Sequence, residues 1–337
     1  MYYSETRDLK FRACRIWRHN MKKNPKKQKV FITGGAGYIG AVLVPTLLRE
    51  GFKVHVLDNF MFGQTSLLEC CALPDFEITR GDARDERLVK ACVADADYII
   101  PLACLTGAPM CDRDPVAAKG IILDALDVIL KFRSKDQRLL YPTTNSGYGL
   151  GEKGRFCTEA TPLRPVSLYG RLKNAAEEKI LSAGNSVAFR LATAFGVSPR
   201  MRLDLLVNDF TYRAVTDRFI VLFEAHFKRN FIHVRDISKA FLHAMNKFDR
   251  MKGETFNLGL SDANLSKLEL CGEIQKQLPE FYFSESPIGK DPDKRDYIVS
   301  NAKIEKTGFR PDVPLQTGIT ELIKGFRIIR RNQYSNV

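Results

Sequence analysis

The sequence predicts an α/β chain built on a doubly wound parallel sheet with a smaller C-terminal lobe, and three observations carry that expectation. Six short apolar runs recur between Val30 and Leu191, a longer amphipathic stretch separates each from the next, and the first run leads straight into a glycine-rich turn. Near-continuous apolar strands alternating with helices indicate a sheet covered on both faces. Right-handed crossovers then wind it outward in both directions.

Taken in order, strands are expected at Val30–Thr33, Val54–Leu57, Phe76–Thr79, Tyr98–Pro101, Leu139–Pro142 and Val187–Leu191. Helices are expected at Tyr38–Glu50, Asp85–Ala94, Pro115–Phe132 and Ser167–Leu181. After Ala192 the rhythm loosens, and Pro199, Pro287, Pro292, Pro311 and Pro314 mark loops. A strand followed by a helix over Phe231–Met245 is expected to return to the sheet. The expected organisation is a cofactor domain over 29–196, rejoined by 229–260, with a substrate lobe over 197–228 and 261–334.

Composition narrows the class. A chain of 337 residues is long enough for a large core and roughly two domains. No apolar run approaches the roughly 20 residues of a membrane-spanning helix, so a soluble, cytoplasmic protein is expected. Residues Met1–Lys29 carry ten Lys or Arg against Glu5 and Asp8, and so hold +8 of the formal +13. The basicity belongs to an irregular tail, residues 1–28, and a nucleic-acid partner is not expected for the body of the chain. No apolar segment follows those charges, against a secretory signal; Met21 is read as the working start and residues 1–20 as an upstream extension. The eight cysteines form no CxxC pair and the five histidines do not cluster. Reduced thiols and no metal site are expected.

The sharpest local signal is Thr33-Gly34-Gly35-Ala36-Gly37-Tyr38-Ile39-Gly40, between a strand and a helix. Gly35, Gly37 and Gly40 satisfy G-x-G-x-x-G, which lets backbone amides approach a pyrophosphate at the helix N-terminus. Asp58 ends the next strand, where a carboxylate accepts from ribose hydroxyls and repels a 2′-phosphate. Asn59 and Phe60 follow it, with no adjacent Arg, and NAD is expected over NADP. Gly34, Gly37, Tyr38, Ile39, Gly40, Asp58 and Asn59 are therefore candidate cofactor residues. Asp82 and Ala83 after the third strand are candidates for the adenine, and Leu102 and Ala103 after the fourth for the nicotinamide half.

Tyr169 and Lys173 stand at i and i+4 on an expected helix, hence on one face. A phenol with a pKa of about 10 is a poor base at neutral pH, and a neighbouring cation favours its ionised form. Thr144, at the end of the strand just upstream, offers a hydroxyl that can hold the substrate oxygen.

With these residues in this order, the chain resembles the extended short-chain dehydrogenase/reductase family, over about Lys29 to Lys324. The resemblance implies Tyr169 as the base, Lys173 as its electrostatic partner and ribose anchor, and Thr144 as the hydrogen-bonding aid. It implies a nucleotide-sugar substrate, with Arg229 in Arg229–Asp236 and Arg295 in Asp293–Asp296 gripping the diphosphate. Asn145, Ser146, Arg200 and Arg202 are further substrate candidates, and His233 is read as structural. The resemblance also implies a homodimer through the helices Pro115–Phe132 and Ser167–Leu181.

Three departures from the family pattern bear on the reaction. Family dehydratases carry Asp and Glu directly after the catalytic Thr; Asn145 and Ser146 here cannot transfer protons as carboxylates, which disfavours water elimination. Thr193 and Ile122 stand where relatives carry Asn. The strings Pro142–Gly149, Pro199–Asp209 and Asp291–Tyr297 are similar to the branch that oxidises C4 of GDP-manno-heptose for bacterial capsule biosynthesis. The expectation is such an oxidation, with a redox-neutral 4-epimerase as the alternative. The intact Thr144, Tyr169 and Lys173 set argues against a non-catalytic NAD sensor.

Overall fold

The computed structural model describes residues 27–288 and 295–329. Most of the basic tail, with Cys14, and Asp291–Lys294 of the second arginine segment lie outside the described residues.

Seven strands form one sheet: β1 (Lys29–Thr33), β2 (Lys53–Asp58), β3 (Phe76–Arg80), β4 (Tyr98–Pro101), β5 (Arg138–Thr144), β6 (Ser186–Leu191) and β7 (Thr255–Leu258). Their spatial order is β7-β6-β5-β4-β1-β2-β3, and every neighbouring pair is parallel. The chain winds from β1 out to β3, then crosses back to lay β4 on the other side of β1. That reversal opens a crevice beyond the carboxyl ends of β1 and β4, where open α/β sheets bind ligands.

Alternation along each strand sends successive side chains to opposite faces. Val30, Ile32, Val54, Val56 and Ile100 face the helices Gly40–Arg49 and Val234–Asn246, whose Leu43, Leu47, Ile237 and Phe241 are fully buried. Phe31, Leu57, Ile99, Leu139 and Tyr141 face the other way, onto Val89, Val93, Ile122, Leu126, Leu172 and Ile180. Caps set the starts of two covering helices: Asp85 accepts from the amides of Arg87 and Leu88, and Ser167 accepts from Gly170 at 3.1 Å.

Two expectations are corrected. The helix expected over Pro115–Phe132 is interrupted: a π turn over Gly120–Asp124 separates Pro115–Lys119 from Ala125–Phe132. Such an insertion rotates the residues after it relative to an ideal 3.6-residue repeat. The strand expected at Phe231 spans Lys228–His233, but it pairs with Thr193–Phe195 and Asn264–Ser266 in a separate three-stranded sheet. The chain returns to the large sheet only at β7, beside β6.

The remaining elements stand over the crevice. The helix Leu206–Thr216 packs on Leu315–Ile328, with Tyr212 and Phe326 edge-on at 5.3 Å. Strand Phe219–Leu222 pairs with Tyr282–Glu285, and Ser266 with Glu269 caps the helix Lys267–Gln275 in a reciprocal box. Asn208 pins this part to the crevice: its Oδ1 accepts from the Gly196 amide at 3.0 Å, and its Nδ2 donates to the Arg202 carbonyl at 2.8 Å. Among the described residues no helix is long and apolar enough to cross a membrane, and all seven cysteines are free thiols.

Candidate active site

A cavity of about 1090 Å³ runs from the carboxyl ends of the central strands to the smaller lobe. At the β1 end its wall is mostly backbone. Gly34 has φ +69°, and a Cβ there would lie 2.5 Å from the Ala103 nitrogen. A Cβ on Gly40 would lie 2.2 Å from the Gly35 carbonyl oxygen. Gly34, Gly37, Tyr38, Ile39 and Gly40 all reach the cavity, whereas Gly35 packs against Val56 behind it.

Asp58 is 6% exposed and faces the same space. Its Oδ2 accepts from the Ala36 amide at 2.9 Å and its Oδ1 from the Phe60 amide at 2.8 Å. Burial raises its pKa against the pull of those amides. Asn59, Ala83, Leu102 and Ala103 line the cavity beside it. Asp82 lines it too, but its carboxylate is held by Arg84 through Nε at 2.9 Å and a second guanidinium nitrogen at 2.6 Å. That pairing lowers its pKa. These residues fit a dinucleotide: a cradle that admits no side chain at the helix start, and a buried carboxylate one strand away.

Midway along the cavity the Tyr169–Lys173 face of helix Leu168–Ser182 meets the end of β5. Lys173 is 4% exposed; its Nζ donates to the Pro142 carbonyl at 2.9 Å and to the Tyr141 hydroxyl at 3.2 Å. Burial opposes its charge, but Cys104, Tyr141 and Tyr169 outweigh it and the pKa rises. Tyr169 departs from the sequence expectation. Burial, reinforced by Cys104, outweighs Lys173 and Arg202, and its phenol stands above the ordinary value. Thr144 Oγ1 donates to Ser146 Oγ at 2.9 Å and accepts from the Ser146 amide at 3.1 Å, capping the short turn Asn145–Tyr148. Arg295 donates to the same Ser146 hydroxyl.

Beneath this face lies a buried ion pair. Arg190 on β6 reaches Glu177 with Nε at 3.1 Å and a terminal nitrogen at 2.6 Å, and Thr143 donates to Glu177 at 2.7 Å. Glu177 shares its helix with Tyr169 and Lys173, so the pair ties the catalytic helix to β5 and β6.

The far end is side chain and charge. Arg202 is bound to Asp204 through Nε at 3.1 Å and a terminal nitrogen at 2.5 Å. Arg229 is 4% exposed, donates to the Lys228 carbonyl at 3.0 Å and lies 5.7 Å from the Tyr297 ring centre. Arg200 lies over Phe62. All four candidate arginines, Arg200, Arg202, Arg229 and Arg295, line the cavity, as does Ser146.

Asn145 does not. It is 1% exposed and off the cavity wall, and its Oδ1 and Nδ2 are buried without a hydrogen-bond partner among the described residues. At the π turn Ile121 reaches the cavity, and Ile122 is buried in the core behind it. His233, with no exposure, accepts from the Arg235 amide at 3.2 Å and packs edge-on to Phe195. Sequence reasoning missed Phe219–Phe223, Lys267 and Tyr297, which wall the far end. Lys267 carried a signal, a lysine inside the S-x-x-E box at a helix start; the strand Phe219–Leu222 carried only ordinary β character.

Residues 30–259 match the model of the NAD dependent epimerase/dehydratase family, and the chain belongs to that family. It is accordingly an enzyme, with NAD as its cofactor. It is 27% identical over 316 residues to UDP-glucuronic acid decarboxylase 1 of Arabidopsis thaliana, across 90% of this chain and 70% of that one. It is also 27% identical over 329 residues to dTDP-glucose 4,6-dehydratase of an Actinoplanes species, across 90% and 98%. In fold it is similar to UDP-glucuronic acid 4-epimerase from Bacillus cereus, solved with UDP-glucuronic acid and NAD. The TM-score is 0.80 at 19% identity, over 89% of this chain and 99% of the other.

Proposed function

We propose that this enzyme oxidises a hydroxyl of a nucleotide sugar, C4 of GDP-manno-heptose being the substrate favoured, to give a 4-keto sugar for capsule or surface polysaccharide. The observation that carries the reading is one cavity lined by the glycine turn, Tyr169 with Lys173, and Arg229 with Arg295. When bound, NAD supplies the hydride acceptor. Tyr169 takes the hydroxyl proton, Lys173 stabilises the phenolate, and Thr144 with Ser146 orients the sugar oxygen. Arg202, Arg229 and Arg295 hold the diphosphate and sugar. In this reading residues 29–196 with 229–260 serve the cofactor, and 197–228 with 261–334 serve the substrate. Two copies pair through the helices of 115–132 and 167–181, where Val116 is 83% exposed.

The names of the relatives support the wider class of nucleotide-sugar enzymes acting by epimerisation, dehydration or decarboxylation. Against dehydration stand Asn145, buried, and Ser146, a hydroxyl already engaged by Thr144 and Arg295. A 4-epimerase uses the same three residues and returns the hydride. Mass spectrometry separates the two after incubation with NAD and GDP-manno-heptose, with hexose nucleotides in parallel. A product two hydrogens lighter, with reduced cofactor accumulating, is expected; unchanged mass with a new stereoisomer makes the enzyme an epimerase.

A further inference from the structure

Arg200 and Phe62 reach the cofactor end of the cavity from different parts of the chain. Phe62 belongs to the loop after Asp58, which that carboxylate shapes by accepting from the Phe60 amide at 2.8 Å and from Gln64 Nε2 at 3.3 Å. Phe60 at φ +55° and Gly63 at φ +61° turn the loop back on itself. Arg200 belongs to the segment after Gly196, which is fastened to the glycine turn. Ser198 Oγ donates to the Tyr38 carbonyl at 2.8 Å, and the Tyr38 hydroxyl donates to the Gly196 carbonyl at 2.7 Å.

The two side chains meet with the guanidinium carbon 4.5 Å from the centre of the ring, inside the roughly 6 Å range of a cation–π contact. Their exposures differ sharply: Arg200 is 4% exposed and Phe62 42%. A ring almost half in water therefore covers a buried cation, and both line the cavity with Asp58 and Gly37.

We propose that Arg200 and Phe62 form a clamp across the adenosine end of the cofactor groove, so that Arg200 serves retention of NAD rather than the sugar. The clamp rests on NAD as cofactor and not on which sugar is oxidised. Leaving the groove requires the two loops to part, and parting them breaks the contact. The effect falls on dissociation, because association starts from the open state. A retained cofactor must be reoxidised in place, whereas a clamp that opens lets it exchange; its release rate therefore bears on the choice between dehydrogenase and epimerase.

The test uses the full chain loaded with NAD and chased with excess isotopically labelled NAD, the released cofactor being followed by mass spectrometry. Phe62→Leu and Arg200→Met are each expected to speed release about tenfold, or about 1.4 kcal/mol. The double variant is expected to be no faster than either single one, because both lose the same contact, and Phe62→Trp is expected to keep release slow. Affinity for GDP, measured by calorimetry without NAD turnover, is expected to be unchanged. Phe62 is exposed enough to be replaced without unfolding the chain, so it carries the test alone if Arg200→Met fails to fold. Unchanged release in Phe62→Leu overturns the clamp, as does a loss of GDP affinity in Arg200→Met with release unaltered.

Discussion

At the β1 end of the cavity the helix start is walled by glycine backbone, with Asp58 and Asp82 beyond it, while at the lobe end the wall is Arg202, Arg229, Lys267 and Arg295, each supplied by a different segment. The turn at the first end has no room for side chains: a Cβ on Gly34 or Gly40 meets backbone at 2.5 or 2.2 Å. The second is made of long cations held in place by neighbours, Arg202 by Asp204 and Arg229 against Tyr297. The difference teaches where each kind of ligand recognition is written. A constant ligand is met by backbone shape from a few consecutive residues, and a variable one by side chains that tertiary structure assembles.

Substitutions can break this contrast, and the largest effect on ligand binding is expected at Gly40. Gly40→Ala drives a methyl into the Gly35 carbonyl and should weaken NAD binding about 100-fold, roughly 2.8 kcal/mol, while GDP affinity is kept. Calorimetry with each ligand checks both halves, and equal losses of the two would erase the distinction between the ends. Arg229→Met should do the reverse, raising KM for the nucleotide sugar at least about tenfold with NAD affinity unchanged, as loss of a charge-assisted contact to phosphate implies.

The structure joining the two ends can be probed separately. Arg190→Met leaves Glu177 buried without its cation, and denaturant unfolding should show a loss of about 3–5 kcal/mol. An unaltered midpoint would mean that the pair does not brace the catalytic helix. Asp58→Asn should be milder, costing NAD severalfold in affinity and letting NADP bind, as competition binding would reveal.

The smallest effect is one of pH. Burial holds His233 near a pKa of about 4 against an ordinary 6.5. The unfolded ring takes its proton near 6.5 and the folded ring only near 4, so this contribution is full above pH 6.5. It is lost progressively as pH falls toward 4. Urea midpoints measured down that range should fall less steeply in His233→Gln than in the unaltered protein, and parallel slopes would remove His233 from the account.

The contrast between the ends also explains what the sequence made legible. Gly34–Gly40 and Asp58 lie within one strand-turn-helix-strand unit, and Tyr169 and Lys173 within one helical turn, so local spacing places them. Strand positions came within two residues because apolar runs mark a sheet buried on both faces. Asn145 and Ser146 are adjacent in sequence, yet of the short turn capped by Thr144 Ser146 alone lines the cavity, a difference that no local period reports. Ile121 was missed because the π turn shifts the register that an unbroken helix implies. Asp82 looked free for adenine because nothing in sequence reveals the grip of Arg84. Lys267 and Phe219–Phe223 face the site only through pairings with segments far along the chain, which no local period reports.

The central claim, that Tyr169 is the base acting on a sugar hydroxyl in this shared cavity, is tested most directly by rapid mixing. Protein saturated with NAD is mixed with GDP-manno-heptose, with UDP-glucose and UDP-glucuronic acid as parallel probes, and absorbance of the reduced cofactor is followed. The account predicts rapid reduction by one of these sugars and a rate about 100- to 10,000-fold slower in Tyr169→Phe, whose NAD affinity is unaltered. Equal rates in the two proteins would contradict it.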